Sequence, residues 1–298
     1  MNTLIKKIIF LPLEVLSSIS TLYSYLISIL KPSFGNYWLD KQAEKNKSLI
    51  KSISHKDALG KLVELKIYTP NWICRFRADT FSTKEPETLN WIDKYGDGGT
   101  LFDIGANVGL YSIYYAKTKP GNVYAFEPSV FNLAQLAKNI HINGTQNKIQ
   151  IITNPLTQEN QFADFNLSTI DEGGALSAFG VGYGQDGNAL AKKFSYKTLG
   201  LSLDFLMKNN ILPEQPSMIK MDVDGIEHLI IEGAKETLKN KKCKTILIEV
   251  NDRFKEQAHQ ITKILSECGF VLDEKIQSDI IADSGAFSGM FNQIWIKK

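Results

Sequence analysis

The stretch that most restricts the fold is 100–126, where an apolar run ending in Asp103-Ile104 meets Gly105-Ala-Asn107-Val-Gly109, then a helical segment, a Pro120-Gly121 turn and a second short apolar run. Strand, glycine loop, helix and strand in that order form a parallel unit, because only a crossover of a dozen or more residues can return the chain alongside itself. The rhythm continues. Strands are predicted over 100–104, 123–126, 149–153, 218–221, 245–250, 270–275 and 291–296, and helices over 110–116, 131–142, 203–209, 226–239 and 253–268. In the helix over 131–142, Leu133, Leu136, Ala137 and Ile140 mark an apolar face, Ser129 caps its start and Asn143-Gly144 ends it. The last two strands are joined by too short a segment for a helical crossover, so they pair antiparallel. The expected fold is α/β and Rossmann-like: a mostly parallel seven-stranded sheet with an antiparallel edge and helices on both faces.

Sheets of this kind bind ligands beyond the carboxyl ends of their strands, where the strand order reverses. Gly105 and Gly109 remove side chains where backbone must approach a ligand, and the following helix turns its free N–H groups toward it. A dinucleotide fingerprint would read G-x-G-x-x-G. Here an acid, Asp103, precedes the first glycine, and Asn107 stands where a second would fall. A carboxylate repels a pyrophosphate and favours the ammonium and sulfonium of S-adenosylmethionine, the expected cofactor. Glu127, ending the second strand, suits bidentate acceptance from ribose hydroxyls, and Asn154, past the third, is placed for an adenine edge. Alone, the glycines could form a simple tight turn and Asp103 a helix cap. Strand before, helix after and an acid on the next strand together point to a cofactor site.

At the fourth strand, Lys220-Met-Asp222-Val-Asp224-Gly225-Ile-Glu227 faces the place where an activated methyl group would lie. Alternation sends Lys220, Asp222 and Asp224 to one side. Methyl transfer to oxygen needs in-line approach and loss of a hydroxyl proton, so Asp222 is the candidate base, with Asp224, Glu227 and Lys220 orienting the acceptor. The bland alternative is a capping acid followed by solvated helix charges. Glu249 and Asn251 end the neighbouring strand and could share a hard cation with Asp222, but the favoured reading assigns no metal. Phe102-Asp103-Ile-Gly105-Ala-Asn107-Val-Gly109, Tyr124-Ala-Phe-Glu127-Pro, Leu203-Asp204 and 219–227 together resemble the FkbM-type methyltransferases. That resemblance runs over about 100–250 and implies a class I methyltransferase fold, S-adenosylmethionine as donor, and methylation of a hydroxyl on a small molecule, saccharide or glycolipid. Asp224 departs from it, standing where glutamate is common in the family, one methylene shorter in reach.

Composition narrows the partners. A net charge of +2 lacks the electrostatic footprint of a protein that neutralises many phosphates, and no nucleic-acid partner is expected. Cys74, Cys243 and Cys268 show neither metal-ligand nor disulfide-framework spacing, which fits a reducing, cytoplasmic setting. Residues 1–36 form an apolar N-terminal helical segment, 37–95 an extension covering the sheet, and 96–298 the catalytic domain with 155–200 inserted as a lid. Within that extension, 62–68 and 72–75 read as strands and 85–92 as a helix. Between Lys7 and Lys31 the only charge is Glu14, but Ser17, Ser18, Ser20, Thr21, Ser24 and Ser28 weaken a spanning reading. The segment either packs on the protein or a partner subunit, making a homo-oligomer, or lies in a membrane interface, or spans. The competing functions are a catalytically silent Rossmann-like binding protein and an NAD-dependent oxidoreductase.

Overall fold

A computed structural model describes residues 3–282, 285, 287 and 289–298. The chain divides into two units, Met1–Leu49 and Ile50–Lys298, so the break falls later than residue 36. The first unit holds two helices, α1 (Thr3–Leu30) and α2 (Pro32–Lys47), with Pro32 in the first turn of α2, where its missing N–H leaves nothing unsatisfied.

The second unit opens with an antiparallel hairpin, β1 (Ile50–Lys56) and β2 (Leu62–Tyr68), followed by α3 (Trp72–Asp79) and α4 (Pro86–Tyr95). One of these was assigned no element from the sequence, and one differs from the strand expected there. The polar run 50–56 is a strand, and 72–75 is helical because the Asn71 side chain accepts the Cys74 N–H at 2.9 Å and caps the turn. Then come β3 (Thr100–Ile104), α5 (Leu110–Thr118), β4 (Val123–Phe126), α6 (Val130–Ile142) and β5 (Ile149–Ile152). The insertion is a small sheet of its own, β6 (Gln161–Leu167), β7 (Ser177–Phe179) and β8 (Phe194–Gly200), with β6 in the middle. There follow α7 (Leu203–Lys208), β9 (Pro216–Met221), α8 (Glu227–Glu232), α9 (Lys235–Lys239), β10 (Thr245–Asn251), α10 (Lys255–Glu267), β11 (Phe270–Ile276), α11 (Asp279–Ala282) and β12 (Met290–Lys297). The single helix expected over 226–239 is therefore two, separated at Gly233-Ala234. A Cβ at Gly233 would stand 2.3 Å from the Thr157 carbonyl, so the chain bends where it passes close beneath the insertion.

The main sheet runs β11-β12-β10-β9-β3-β4-β5. Its five inner and far strands are parallel, and β12 is antiparallel to both β10 and β11, as the short connection required. The order reverses between β3 and β9, so a crevice opens at their carboxyl ends. Alternation along β3 divides the core. Leu101 packs with Trp91, Ile113, Tyr114 and Leu247 on the α4/α5 face, whereas Phe102 and Ile104 pack with Phe126, Ile219 and Ile230 on the other. Trp91 of α4 is fully buried and donates its indole N–H to Thr245 Oγ1 at 2.9 Å, which fixes α4 on the sheet. The β1–β2 hairpin instead packs on the helices α5 and α6.

Candidate active site

Three positive backbone angles shape the loop after β3: Gly105 at φ +85°, Asn107 at +51° and Gly109 at +88°. Only glycine adopts the first and last without strain, and asparagine tolerates the second. Space reinforces the requirement. A Cβ on Gly105 would fall 1.9 Å from the Asp222 carbonyl oxygen, and one on Gly109 would fall 2.5 Å from Leu136 Cδ1 of α6. Asp222 N–H donates to the Ile104 carbonyl at 3.1 Å, so the loops after β3 and β9 are in backbone contact across the switch point.

The candidate residues from the sequence fall into two groups. Gly105, Asn107, Glu127, Asn154, Asp222 and Asp224 line one cleft beyond the strand ends. Asp103 and Glu227 do not. Asp103 shares the Leu101 face of β3, which turns its carboxylate under α5, where it accepts from Ser112 Oγ at 2.6 Å and lies 4.0 Å from Lys220 Nζ. Glu227 is buried and accepts N–H from Val223 at 3.1 Å and from Gly225 at 3.1 Å, with the Gln257 amide at 2.6 Å. It holds the turn 223–225 closed and is turned away from the cleft. Lys220 reaches the edge of the cleft but is only 2% exposed, with Nζ 3.4 Å from Asp222 Oδ2 and 5.3 Å from the Tyr111 ring centre. It joins Asp103 to Asp222 as a buried cation between two acids.

Glu127 accepts from the main-chain N–H of Asn107 and of Ser129, each at 2.8 Å. Burial nonetheless pushes its carboxyl up to about 7. Burial also pushes Asp222 up, but Lys220, Lys84 and Arg77 overcome that effect and hold it below the ordinary carboxylate range. Asp224 has no such cation in contact. Burial and the Asp222 charge raise it to about 6. Glu249, on the same wall of the cleft, is driven well above the ordinary range by burial and by Asp222 and Glu85. Among the described residues, no group of three or more histidine, cysteine or acidic side chains is arranged to hold a metal ion. Asn251, considered above as an oxygen ligand, spends its amide N–H on the Gln185 carbonyl and its oxygen on Arg253 N–H.

Several lining residues had no signal in the sequence reading. Arg77 and Lys84 enter the cleft from α3 and the turn after it, and Lys84 pairs with Glu85. From the insertion, Gly173–Leu176 threads through the cleft itself. The Gly174 carbonyl accepts from Asn107 Nδ2 at 2.7 Å and from Asn132 Nδ2 at 3.1 Å, and Arg77 Nε donates to the Gly173 carbonyl at 2.7 Å. Asp224 Oδ2 accepts the Leu176 N–H at 2.7 Å and the Ser177 N–H at 3.3 Å. Leu176 sits at φ +61°, a left-handed conformation costly for a leucine, so these contacts hold the segment in place. Ala175 is common to the recess beside Glu127, the recess beside Lys220 and a wider cavity of about 480 Å³ walled by Trp72, Phe76 and Leu176.

The chain's own atoms test the fit of S-adenosylmethionine. Asn107 Oδ1 is buried in the cleft without a hydrogen-bond partner, an acceptor that a donor group must satisfy. Glu127 stands at the tip of β4, and Asp222 and Asp224 supply negative charge to a cationic ligand. The donor set fits. The sequence assigned the match to positive charge to Asp103; in the structure Asp103 lies opposite Lys220 and outside the cleft, and the acids that line the cleft after β9 are Asp222 and Asp224.

A seven-stranded sheet in this order, with the glycine loop on β3 and an acid ending β4, defines the class I methyltransferases. The family model described as the Methyltransferase FkbM domain matches residues 103–272, more than half of the sequence, and the chain belongs to that family. Its cofactor is S-adenosylmethionine. No curated protein matches the sequence significantly. Among solved structures, similar chains include the methyltransferase FkbM of Methylobacillus flagellatus KT, at 15% identity and a TM-score of 0.43, covering 67% of this chain and 44% of that one. This chain thus spans less than half of that neighbour. A precorrin-6y C5,15-methyltransferase from Geobacter metallireducens GS-15 has 12% identity and a TM-score of 0.42, covering 72% of this chain and 87% of that one. A ribosomal protein L11 methylase from Lactobacillus delbrueckii subsp. bulgaricus has 13% identity and a TM-score of 0.41, covering 72% and 78%.

Proposed function

We propose that this protein transfers a methyl group from S-adenosylmethionine to a hydroxyl oxygen of a small molecule, saccharide or glycolipid, with Asp222 receiving the hydroxyl proton. The observation that carries the proposal is the position of Asp222. It borders all three recesses of the cleft, its side chain is 30% exposed, and the cations around it keep it ionised. A fixed carboxylate there can hold a hydroxyl in line and accept its proton late in the transfer. The cofactor supplies the activated methyl on a sulfonium. Glu127 would hold the ribose hydroxyls, Asn107 a further polar donor, and Asn154 the adenine side of the recess. Asp224 keeps the Gly173–Leu176 segment in place as a wall between donor and acceptor.

The acceptor would enter the wider cavity. Trp72, 74% exposed, and Phe76 give it an aromatic wall of the kind that stacks on the apolar face of a sugar ring, with Arg77 and Lys84 beyond. Calorimetric titration with S-adenosylmethionine and S-adenosylhomocysteine tests the donor site, and a labelled-methyl assay on metabolite and glycan fractions tests the transfer. Asp222→Asn should leave donor binding within a few-fold and lower turnover by roughly 10²-fold or more. Absence of donor binding by folded protein refutes the donor assignment, and binding of NADH in its place supports the oxidoreductase. Donor binding with no product from any fraction supports the silent binding protein.

A further inference from the structure

The first unit poses a different question: α1 is apolar over Phe10–Leu30, yet only 6% of the most apolar window is buried. In the sequence its hydroxyls weakened a spanning reading and left an interfacial one open. The structure removes that objection. Ser18 donates to the Glu14 carbonyl at 2.9 Å, Thr21 to the Ser17 carbonyl at 2.9 Å and Ser28 to the Tyr25 carbonyl at 2.6 Å. Hydroxyls bonded back to their own helix in this way are tolerated in apolar surroundings. Ser24 donates to the Gly35 carbonyl of α2 at 2.7 Å, and Ser20 accepts the Trp38 indole N–H at 2.6 Å. At Gly35 the two backbones are so close that a Cβ would lie 2.6 Å from the Ser24 carbonyl oxygen. Ser20, Ser24 and Ser28 therefore lie along the seam of a helical hairpin, and the hydroxyls of Ser18, Thr21, Ser24 and Ser28 are all donated to carbonyls within it.

What α2 leaves uncovered is the opposite face. Leu11, Val15, Ile19, Leu22, Leu26 and Ile29 follow one another at three- and four-residue spacing and are 48–68% exposed. Leu16, Tyr23 and Leu30 widen the band beyond the narrow seam that one partner helix would cover. Charge lies around it. Between residues 1 and 49 there are six lysines, Lys6, Lys7, Lys31, Lys41, Lys45 and Lys47, against Glu14, Asp40 and Glu44, while the whole chain carries only +2. The orientation follows from the seam. Gly35 against Ser24 and Trp38 against Ser20 make the two helices antiparallel with the middle of α2 beside the middle of α1, so Asp40, Lys41, Glu44, Lys45 and Lys47 run alongside the first half of α1. If α1 crossed a bilayer, those five charges would be drawn into hydrocarbon, each at a severe penalty. Lying flat avoids this.

We propose that the α1–α2 hairpin lies in the plane of an anionic membrane interface, with the Leu11–Ile29 band in the acyl boundary and the α2 lysines among the headgroups. The full chain should float with vesicles of phosphatidylcholine and phosphatidylglycerol at 7:3, and at least tenfold less with phosphatidylcholine alone. The double substitution Ile19→Glu/Leu26→Glu should lower vesicle binding at least tenfold while circular dichroism and the methyl-donor titration stay unchanged. The native cysteines are all buried, so a fluorophore on Ile19→Cys reports depth selectively. It should be quenched most by bromines near the glycerol end of the acyl chains. Strongest quenching by bromines at the bilayer centre would overturn the in-plane placement. Failure to float would overturn membrane binding altogether. So would a dimer in light scattering that the double substitution converts to monomer, since the band would then be covered by a second copy.

Discussion

Removing the Lys220 ammonium group is the most direct test of how the site is held together. Lys220→Met keeps the length and apolar stem of the side chain but leaves Asp103 and Asp222 without their shared counter-ion. With Nζ at 3.4 Å from Asp222 and 4.0 Å from Asp103, the attractions are about 5 and about 4 kcal/mol at an effective dielectric constant near 20. Much of this offsets the desolvation of the lysine itself. The expected net loss is about 3–5 kcal/mol, the range seen when one partner of a buried pair is deleted, because a 1% exposed Asp103 must then stay charged alone or take up a proton. Urea unfolding followed by tryptophan fluorescence measures it, with Asp103→Asn and the double substitution completing a cycle. The double variant should recover about 1–3 kcal/mol relative to additivity, since it leaves fewer unpaired charges. Wild-type stability in Lys220→Met, or strict additivity in the cycle, would refute the buried-cation account and return Lys220 to the role of an acceptor-orienting group.

Three further outcomes are expected. Gly105→Ala must relieve a 1.9 Å contact with the Asp222 carbonyl and a φ of +85°, so it should cost about 2–4 kcal/mol and abolish donor binding; a variant with wild-type melting temperature and affinity would contradict the contact. Asp224→Ala releases the Leu176 and Ser177 N–H groups and should raise proteolysis between 173 and 177 several-fold, read by limited digestion and mass spectrometry, while leaving the melting temperature within a few degrees. Glu127 is raised from 4.5 to about 7, so the stability it contributes is fully present below pH 4.5 and lost as pH rises through 7. Ligand-free wild type should therefore lose more stability between pH 5 and 7.5 than Glu127→Gln does, by about 1–3 kcal/mol in denaturant titrations, and equal slopes would show that Glu127 ionises normally.

The parallel strands β3 and β4 were legible to the residue because buried strands read as unbroken apolar runs bounded by turn residues. Strand β1 was not, since most of its side chains face solvent and only Ile53 is buried within a polar run. Trp72, Ile73 and Cys74 favour a strand locally, and what decides for helix is a side-chain cap from Asn71. In α6 Leu136 and Ile140 of the expected apolar face are buried, but Ala137 is exposed, and the inward amides Asn132, Gln135 and Asn139 were not read. Asn139 joins the Val108 carbonyl to the Tyr68 N–H, and Asn132 holds Gly173 and Gly174, so their value depends on segments distant in sequence. The same holds for Asp103. Its position at the end of a strand was evident, but its partner arrives from β9, and no local pattern announces which acid a buried lysine will face.

The backbone contact between Gly105 and Asp222 has a practical consequence for anyone building chimeras of this enzyme with a relative. The turn at 103–109 and the one at 220–227 are cut to each other's shape, with no room for even a methyl group between them. Transplanting either alone would bring together two surfaces that were never fitted, whereas exchanging both as a set, and leaving β6–β8 to vary, should preserve the donor cradle while changing what it modifies.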